Sequence, residues 1–186
     1  KDGTKTMVEM TAMSNATGLV PDVVGGHGPS ASPKDRCADL NEIFKLRKDG
    51  GILNRHGVVE YVNGIAPGVF VTVTTSNEEI AYQMGYHSMG PGPLWTLYRP
   101  YHLCNLETPL TVAKIVIDGE PTIIPLDGPV SECIAVAKRD LKAGETIDGI
   151  GGYTTYGSIA TAQETYEKGY VVHALVNKNT RMKCDV

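Results

Sequence analysis

The sequence predicts an α+β protein, with a mixed α/β lobe over residues 1–127 and a small β-rich lobe over 128–186. Three observations carry that expectation. Capping and stop signals bracket several segments of helical length. Runs of β-branched residues with a period of two lie between them. At Asp127-Gly128-Pro129 the texture changes to short strands and Gly-rich turns. With 186 residues and 41% hydrophobic content, the chain can bury a core of ordinary size.

The elements follow in order. Thr6-x-x-Glu9 is a capping-box pattern ahead of Met10, Met13 and Ala16, so a helix is expected near 7–17, stopped by Gly18. Residues 22–33 are rich in breakers and read as a loop. Ser32-Pro33 opens a second helix near 34–48 with Cys37, Leu40, Ile43 and Phe44 on its apolar face. Residues 52–62 and 68–75 read as strands around the turn signal Asn63-Gly64. Ser76-x-x-Glu79 opens a short helix to about Met84, and Leu94–Tyr98 reads as a strand. Thr108-Pro109 starts a helix over 109–118 that Gly119 closes; its apolar residues nearly surround it, so deep burial is expected. Beyond the boundary come a strand over 133–138, a turn over 140–145, a Gly-rich bend at 149–152, a helix near 159–168 and a strand over 170–176.

Net charge is −4 without long runs of like charge, which argues against nucleic acid or an anionic membrane as partner. No apolar run reaches membrane-spanning length. The four cysteines are widely spaced with no CxxC, so neither a disulfide framework nor a metal site is expected, and a reducing cytoplasm fits best. The chain opens on Lys1-Asp2-Gly3 without an initiator Met and reads as a fragment.

The segment richest in chemistry is Gly85–Pro109. It gathers the single Trp, three of nine Tyr, two of five His and Arg99 into a stretch stiffened by Pro and Gly. Tyr98-Arg99-Pro100-Tyr101-His102 supplies a fixed cation, an imidazole and two phenols, the parts needed to hold an anion and move a proton. A buried hairpin whose polar tips are satisfied by backbone explains the same composition.

Two longer signals carry a resemblance. Residues 134–147, IAVAKRDLKAGETI, resemble the opening of SAF domains, small β-clip modules in which a strand, a tight turn at Gly144 and a return strand follow one another. The ordered blocks KDGTKTMVEMTAMSNATGL, GGILNRHGVVEYVNGIAPGVFV, MGPGPLWTLYRPYHLCNLETP and AVAKRDLKAGETIDGIGGYTTYG resemble a bacterial oxidoreductase family described as homoserine-dehydrogenase-like with a SAF tail. That family includes the deoxyxylulose-phosphate-reductoisomerase-like enzyme. The resemblance implies a substrate-binding and oligomerising region over 1–127 and a SAF-like β-clip over 128–186. It also implies NAD or NADP bound by a Rossmann domain that this stretch lacks, since no GxGxxG follows a strand here.

Candidate residues are weighed on that basis. His102 and Lys5 are the candidate acid/base groups. Arg99, with Tyr98 and Tyr101, would hold a small polar, anionic substrate. Glu9 is explained by its capping box, while the resemblance implies a role in holding substrate. Asn15 could bind a substrate hydroxyl or simply stop a helix. His27 and His56 have no partner at ligand spacing. Three functions stand: the substrate half of an NAD(P)-dependent oxidoreductase, inactive alone and homo-oligomeric; a sugar- or phosphosugar-binding module with its polar pocket inside 130–186; or a structural interface with Trp95 in an apolar surface.

Overall fold

Helix α1, Thr4–Thr17, runs between two glycines in the left-handed region, Gly3 at φ 81° and Gly18 at φ 77°. The computed structural model describes residues 2–101 and 104–186. Thr6 lies inside α1, so the expected capping box does not form: Gly3 occupies the cap, and Asp2 Oδ1 accepts from the Thr4 N–H at 3.2 Å. Gly18 ends the helix as expected, its N–H donating to the Ser14 carbonyl over 2.9 Å.

The chain folds as two units. The first comprises Lys1–His27, Gly57–Tyr61 and Ile123–Val186; the second comprises Gly28–His56 and Val62–Thr122. The units do not follow the expected division at residue 127, because α1 packs on the C-terminal strands. The architecture is mixed α+β, built on three two-stranded sheets among the described residues.

In the first unit, β1 (Val20–Pro21) pairs in parallel with β2 (Val58–Val59). The second unit supplies α2 (Arg36–Ile43), β3 (Val69–Thr74), α3 (Glu78–Tyr86), β4 (Leu94–Arg99) and α4 (Cys104–Ala113). The first unit then resumes with β5 (Ser131–Ala137), its antiparallel partner β6 (Thr155–Thr161) and α5 (Ala162–Lys168). Met7 and Met10 of α1, Val59, Cys133 and Ile159 form the first unit's core, with Leu19 and Tyr61 packed against it. Burial pushes the Cys133 thiol up to about 11, so it packs as a small apolar group.

In the second unit β3 and β4 pair antiparallel across α3, with Phe70 opposite Tyr98 and Thr72 opposite Thr96, whereas the turn signal Asn63-Gly64 predicts β3 beside residues 52–62. Phe44 stacks on Phe70 at 5.4 Å between ring centres, and Leu40, Leu53, Ile65, Leu94 and Trp95 are buried around them. Asn77 caps α3, its side-chain oxygen accepting from the N–H groups of Glu79 and Ile80.

Four expectations change. Residues 52–62 contribute only the two-residue β2. The helix before Gly119 starts at Cys104, contains Pro109 and ends in a π-turn over Lys114–Asp118. None of its described residues is buried: Leu110, Val116 and Ile117 lie open. Residues 155–161 form a strand where a helix was expected from 159. Residues 173–175 form a single 3-10 turn, not a strand.

Gly144 adopts the left-handed conformation that its turn requires, at φ 84°. The returning backbone pairs with the C-terminal tail: Thr146 bridges Arg181, and the N–H groups and carbonyls of Leu141 and Val186 bond reciprocally. At the next bend, Asp148 accepts from the N–H of Tyr153 over 2.5 Å, and from the N–H and hydroxyl of Thr154. A Cβ at Gly152 would collide with that carboxylate, which explains the glycine. Among the described residues no helix is long and apolar enough to cross a membrane.

The Thr154 hydroxyl and the Tyr153 N–H hold the Asp148 carboxyl down at about 2, against 3.8 ordinarily. A depressed carboxylate contributes stability that is complete above its unfolded value and is lost as pH falls through its folded one. The urea midpoint of the wild type should therefore fall as pH drops from about 4 to about 2 through this site. Asp148→Asn should be less stable at neutral pH and should lose that part of the acid dependence.

Candidate functional site

The aromatic cluster is built by the β3–β4 register. Tyr98 is half-buried, and its hydroxyl donates to the carbonyl of Ile65 at 2.8 Å, with the Pro67 carbonyl at 3.1 Å. Gly68 makes room, since a Cβ there would strike that hydroxyl. The Arg36 guanidinium sits 4.8 Å from the ring centre. Thr96 donates to Asn41 Oδ1 over 2.7 Å and accepts from Thr72 at 2.8 Å. Trp95 is buried and donates to the Gly90 carbonyl, so it belongs to the interior rather than to an exposed apolar surface.

Arg99 differs from its neighbours. Its side chain is half-exposed, ion-pairs with Glu107 and lies 4.7 Å from the centre of the Tyr101 ring. Tyr101 is itself half-exposed. This arrangement holds a guanidinium at the surface with its donors only partly used, which suits a carboxylate or phosphate. His102 lies outside the described residues.

Lys5, Glu9 and Asn15 sit on α1 in the first unit. Lys5 and Glu9 are exposed. Asn15 is neither a free polar group nor a helix stop. Its Oδ1 accepts from the N–H groups of Val130 at 2.7 Å and Ser131 at 3.0 Å, while Nδ2 donates to the Ser131 carbonyl at 3.2 Å. The side chain thus acts as a clamp between α1 and the start of β5.

A constellation that the sequence reading passed over lies in the Gly-rich loop between β1 and α2. His27 Nδ1 is 2.9 Å from Glu60 Oε1, and Nε2 is 3.6 Å from Asp22 Oδ2. The side chains are 14%, 4% and 1% exposed for His27, Glu60 and Asp22. Glu60 also accepts from the backbone N–H of His27 at 2.9 Å and of Tyr61 at 3.3 Å. The ring thus lies between two carboxylates, with Nδ1 hydrogen-bonded to Glu60 and Nε2 buried beside Asp22 at a longer distance. A carboxylate-oriented imidazole is a unit suited to taking and returning a proton. Two signals pointed to it: an acidic residue inside the apolar run Val58–Val62, and a histidine enclosed by glycines.

A cleft of about 400 Å³ runs beside α1 in the first unit, lined by Val8, Ala12, Glu132, Val172 and His173 among others. It draws on α1 as well as on residues beyond 130, so it is not confined to the C-terminal part. Among the described residues no group of His, Cys, Asp and Glu is arranged to hold a metal. The parallel pair β1–β2 is two residues long, and the loop after β1 reaches α2 only at Arg36.

Comparison with known proteins agrees with part of this picture. Residues 1–108 match a family described as the catalytic domain of oxidoreductase DRL. No curated protein matches the chain. The matched residues include α1, the His27–Glu60–Asp22 constellation and Arg99.

Two substitutions separate packing from substrate contact. Tyr98→Phe should lower stability by about 0.5–1.5 kcal/mol, the worth of one neutral hydrogen bond, measured by chemical denaturation. Asn15→Ala should cost about 1–3 kcal/mol, because the Val130 and Ser131 N–H groups lose their acceptor.

Proposed function

We propose that this chain, which belongs to the family of oxidoreductase DRL catalytic domains, is the substrate-binding and oligomerising part of an NAD(P)-dependent oxidoreductase. Its substrate is a small, polar, anionic hydroxy or oxo compound, as the resemblance to homoserine-dehydrogenase-like enzymes implies. The observation that carries this reading is the family match, because it spans the Gly-rich loop with its buried acid–imidazole pair and the exposed Arg99. NAD or NADP is held by a separate dinucleotide-binding domain, so the 186-residue chain alone does not turn over. Residues 128–186 are the SAF-like β-clip tail. The reading places the enzyme in the reducing cytoplasm.

Within this reading Arg99 is the anion clamp, and the substrate's carboxylate or phosphate takes the place of Glu107 on the guanidinium. Tyr101 flanks the bound anion. The acid/base group comes from His102 or Lys5. Lys5 and Glu9 offer only solvated heads on α1. Subunit pairing uses the open apolar face of α4 and its π-turn, where Leu110, Val116 and Ile117 lie exposed.

The experiment supplies the chain with its dinucleotide-binding domain. Loss of reduced-nicotinamide absorbance is then followed over a panel of carboxylated and phosphorylated oxo compounds. Arg99→Ala should raise KM by about 10–100-fold with kcat nearly unchanged, since a clamp binds ground and transition states alike. His102→Ala should lower kcat by about 10²–10⁴-fold with cofactor affinity intact. That loss in Lys5→Ala instead would move the acid/base role to Lys5. Turnover indifferent to the anionic group would end the clamp assignment, and absence of nicotinamide oxidation across the panel would end the oxidoreductase reading.

A further inference from the structure

We infer that the Arg99 site continues into an apolar groove on the open face of the β3–β4 sheet, so that its ligand is a carboxylate carrying a short aliphatic arm. The inference rests on the clamp assigned to Arg99 above and adds what lies beyond the anion. Val69 stands opposite Arg99 and Val71 opposite Leu97, and opposed pairs two residues apart share one face of a sheet. All four side chains are open to water: Val69 is 42% exposed, Val71 49%, Leu97 51% and the Arg99 side chain 50%. By the same alternation Phe70 and Tyr98 turn to the other face, where Phe44 stacks on Phe70 and the Ile65 carbonyl holds the Tyr98 hydroxyl. A groove of about 410 Å³ runs over this part of the sheet. Next along the open face Trp95 is buried and bonded to the Gly90 carbonyl, with Gly92 against its ring, so the open stretch ends there.

The walls set the class of ligand. Among the described residues that line the groove, Arg99 is the sole charge, and the valine and leucine side chains offer no hydrogen bond. The volume falls in the range of small-molecule pockets. Glu107, ion-paired with Arg99, shows that the guanidinium accepts a carboxylate in this position. Tyr101 flanks the same group, its ring centre 4.7 Å away. Val71 and Leu97 lie two residues along the strands from Val69 and Arg99, about 7 Å. An arm of a few carbons spans that distance while its head stays on Arg99. Because the arm is joined to the anion, it covers apolar surface without a second binding event.

The test uses the 186-residue chain, methyl-labelled at valine and leucine, titrated with acetate, butanoate, hexanoate and hexan-1-ol. Hexanoate should shift the Val71 and Leu97 methyl resonances saturably. Affinity should rise about twofold per added methylene, half the logarithmic gain of full burial, because the groove stays open on one side. Hexan-1-ol should bind at least about tenfold more weakly than hexanoate, and Arg99→Ala should erase that preference. Val71→Thr combined with Leu97→Thr should flatten the chain-length series while acetate binds as before, and threonine suits exposed strand positions. The series on the unaltered chain remains the test if that variant does not fold. Equal affinity for acetate and hexanoate would overturn the inference. So would methyl resonances that move on dilution of the protein and not with hexanoate, which would give this face to a second copy of the chain. Chain-length dependence without nicotinamide oxidation in the assembled enzyme would support the groove and end the oxidoreductase reading alone. Turnover without chain-length dependence would do the reverse.

Discussion

A carboxylate that is nineteen-twentieths hidden from water has to be matched by donors, and Glu60 is the group on which this constraint falls. Desolvating an ionised carboxylate costs several kcal/mol unless it is paired. Here the donors come from one place: the backbone and Nδ1 of His27, with the Tyr61 N–H adding a third contact. Gly26 is part of the same solution: a Cβ there would crowd the Tyr61 ring at 3.1 Å and the Glu60 carboxylate at 3.3 Å, and its φ of 68° favours glycine. The loop therefore takes its shape from the acid it must satisfy. The short parallel pair β1–β2 brings the two segments together, and the Glu60–His27 contacts hold them.

A second polar constraint determines why the first unit is assembled from distant segments. Asn15 and the N–H groups it receives are separated by 115 and 116 residues. One carboxamide bonding both ways to a backbone segment has little freedom of position, so it fixes the axial register of α1 against β5. The apolar pairing follows from that register, with Met7 and Met10 laid over Cys133 and Ile159. Thr4 adds a tie at the other end of the helix, its hydroxyl accepting from the Gly157 N–H at 2.9 Å. Methionine adapts to irregular gaps, so the polar ties specify the geometry and the apolar residues fill it.

What was legible in the sequence divides along the same line. Local signals were read well: Gly18 as a stop, the valine alternation of β3 and the strand at 94–99 all appear where their chemistry put them. Signals that depend on a distant partner were not. Thr6 and Glu9 match a capping box, yet the helix starts earlier because Thr4 is drawn to Gly157. The apolar girdle of residues 110–117 implied burial, but periodicity records which residues would be buried and not whether a cover exists. β6 carries Gly157, Ser158 and Ala160 among β-favouring Thr, Tyr and Ile, and Gly157 leaves room for Thr4 of α1 to approach, a contact no local signal shows. The His27 constellation joins residues 33 apart, a spacing that no short motif encodes.

The aromatic segment shows how composition can point to a site and still assign the roles wrongly. Tyr98 and Trp95 gather aromatic area beside an arginine, as a pocket would, but each polar tip is bonded to nearby backbone carbonyls. Their work is to hold the β3–β4 hairpin and its approach loop in one geometry. What that rigid hairpin presents outward is Arg99, at the end of β4 and half in water. Exposure decides which job each charged group can do. A half-solvated guanidinium exchanges partners cheaply, because water and Glu107 screen each other's loss, and so it suits reversible capture of an anion. An imidazole held between nearly buried carboxylates cannot exchange partners in that way, but its ring is fixed to within a hydrogen bond's tolerance. That fixity is worth little for capture: it ties the Gly-rich loop after β1 to the segment that follows β2.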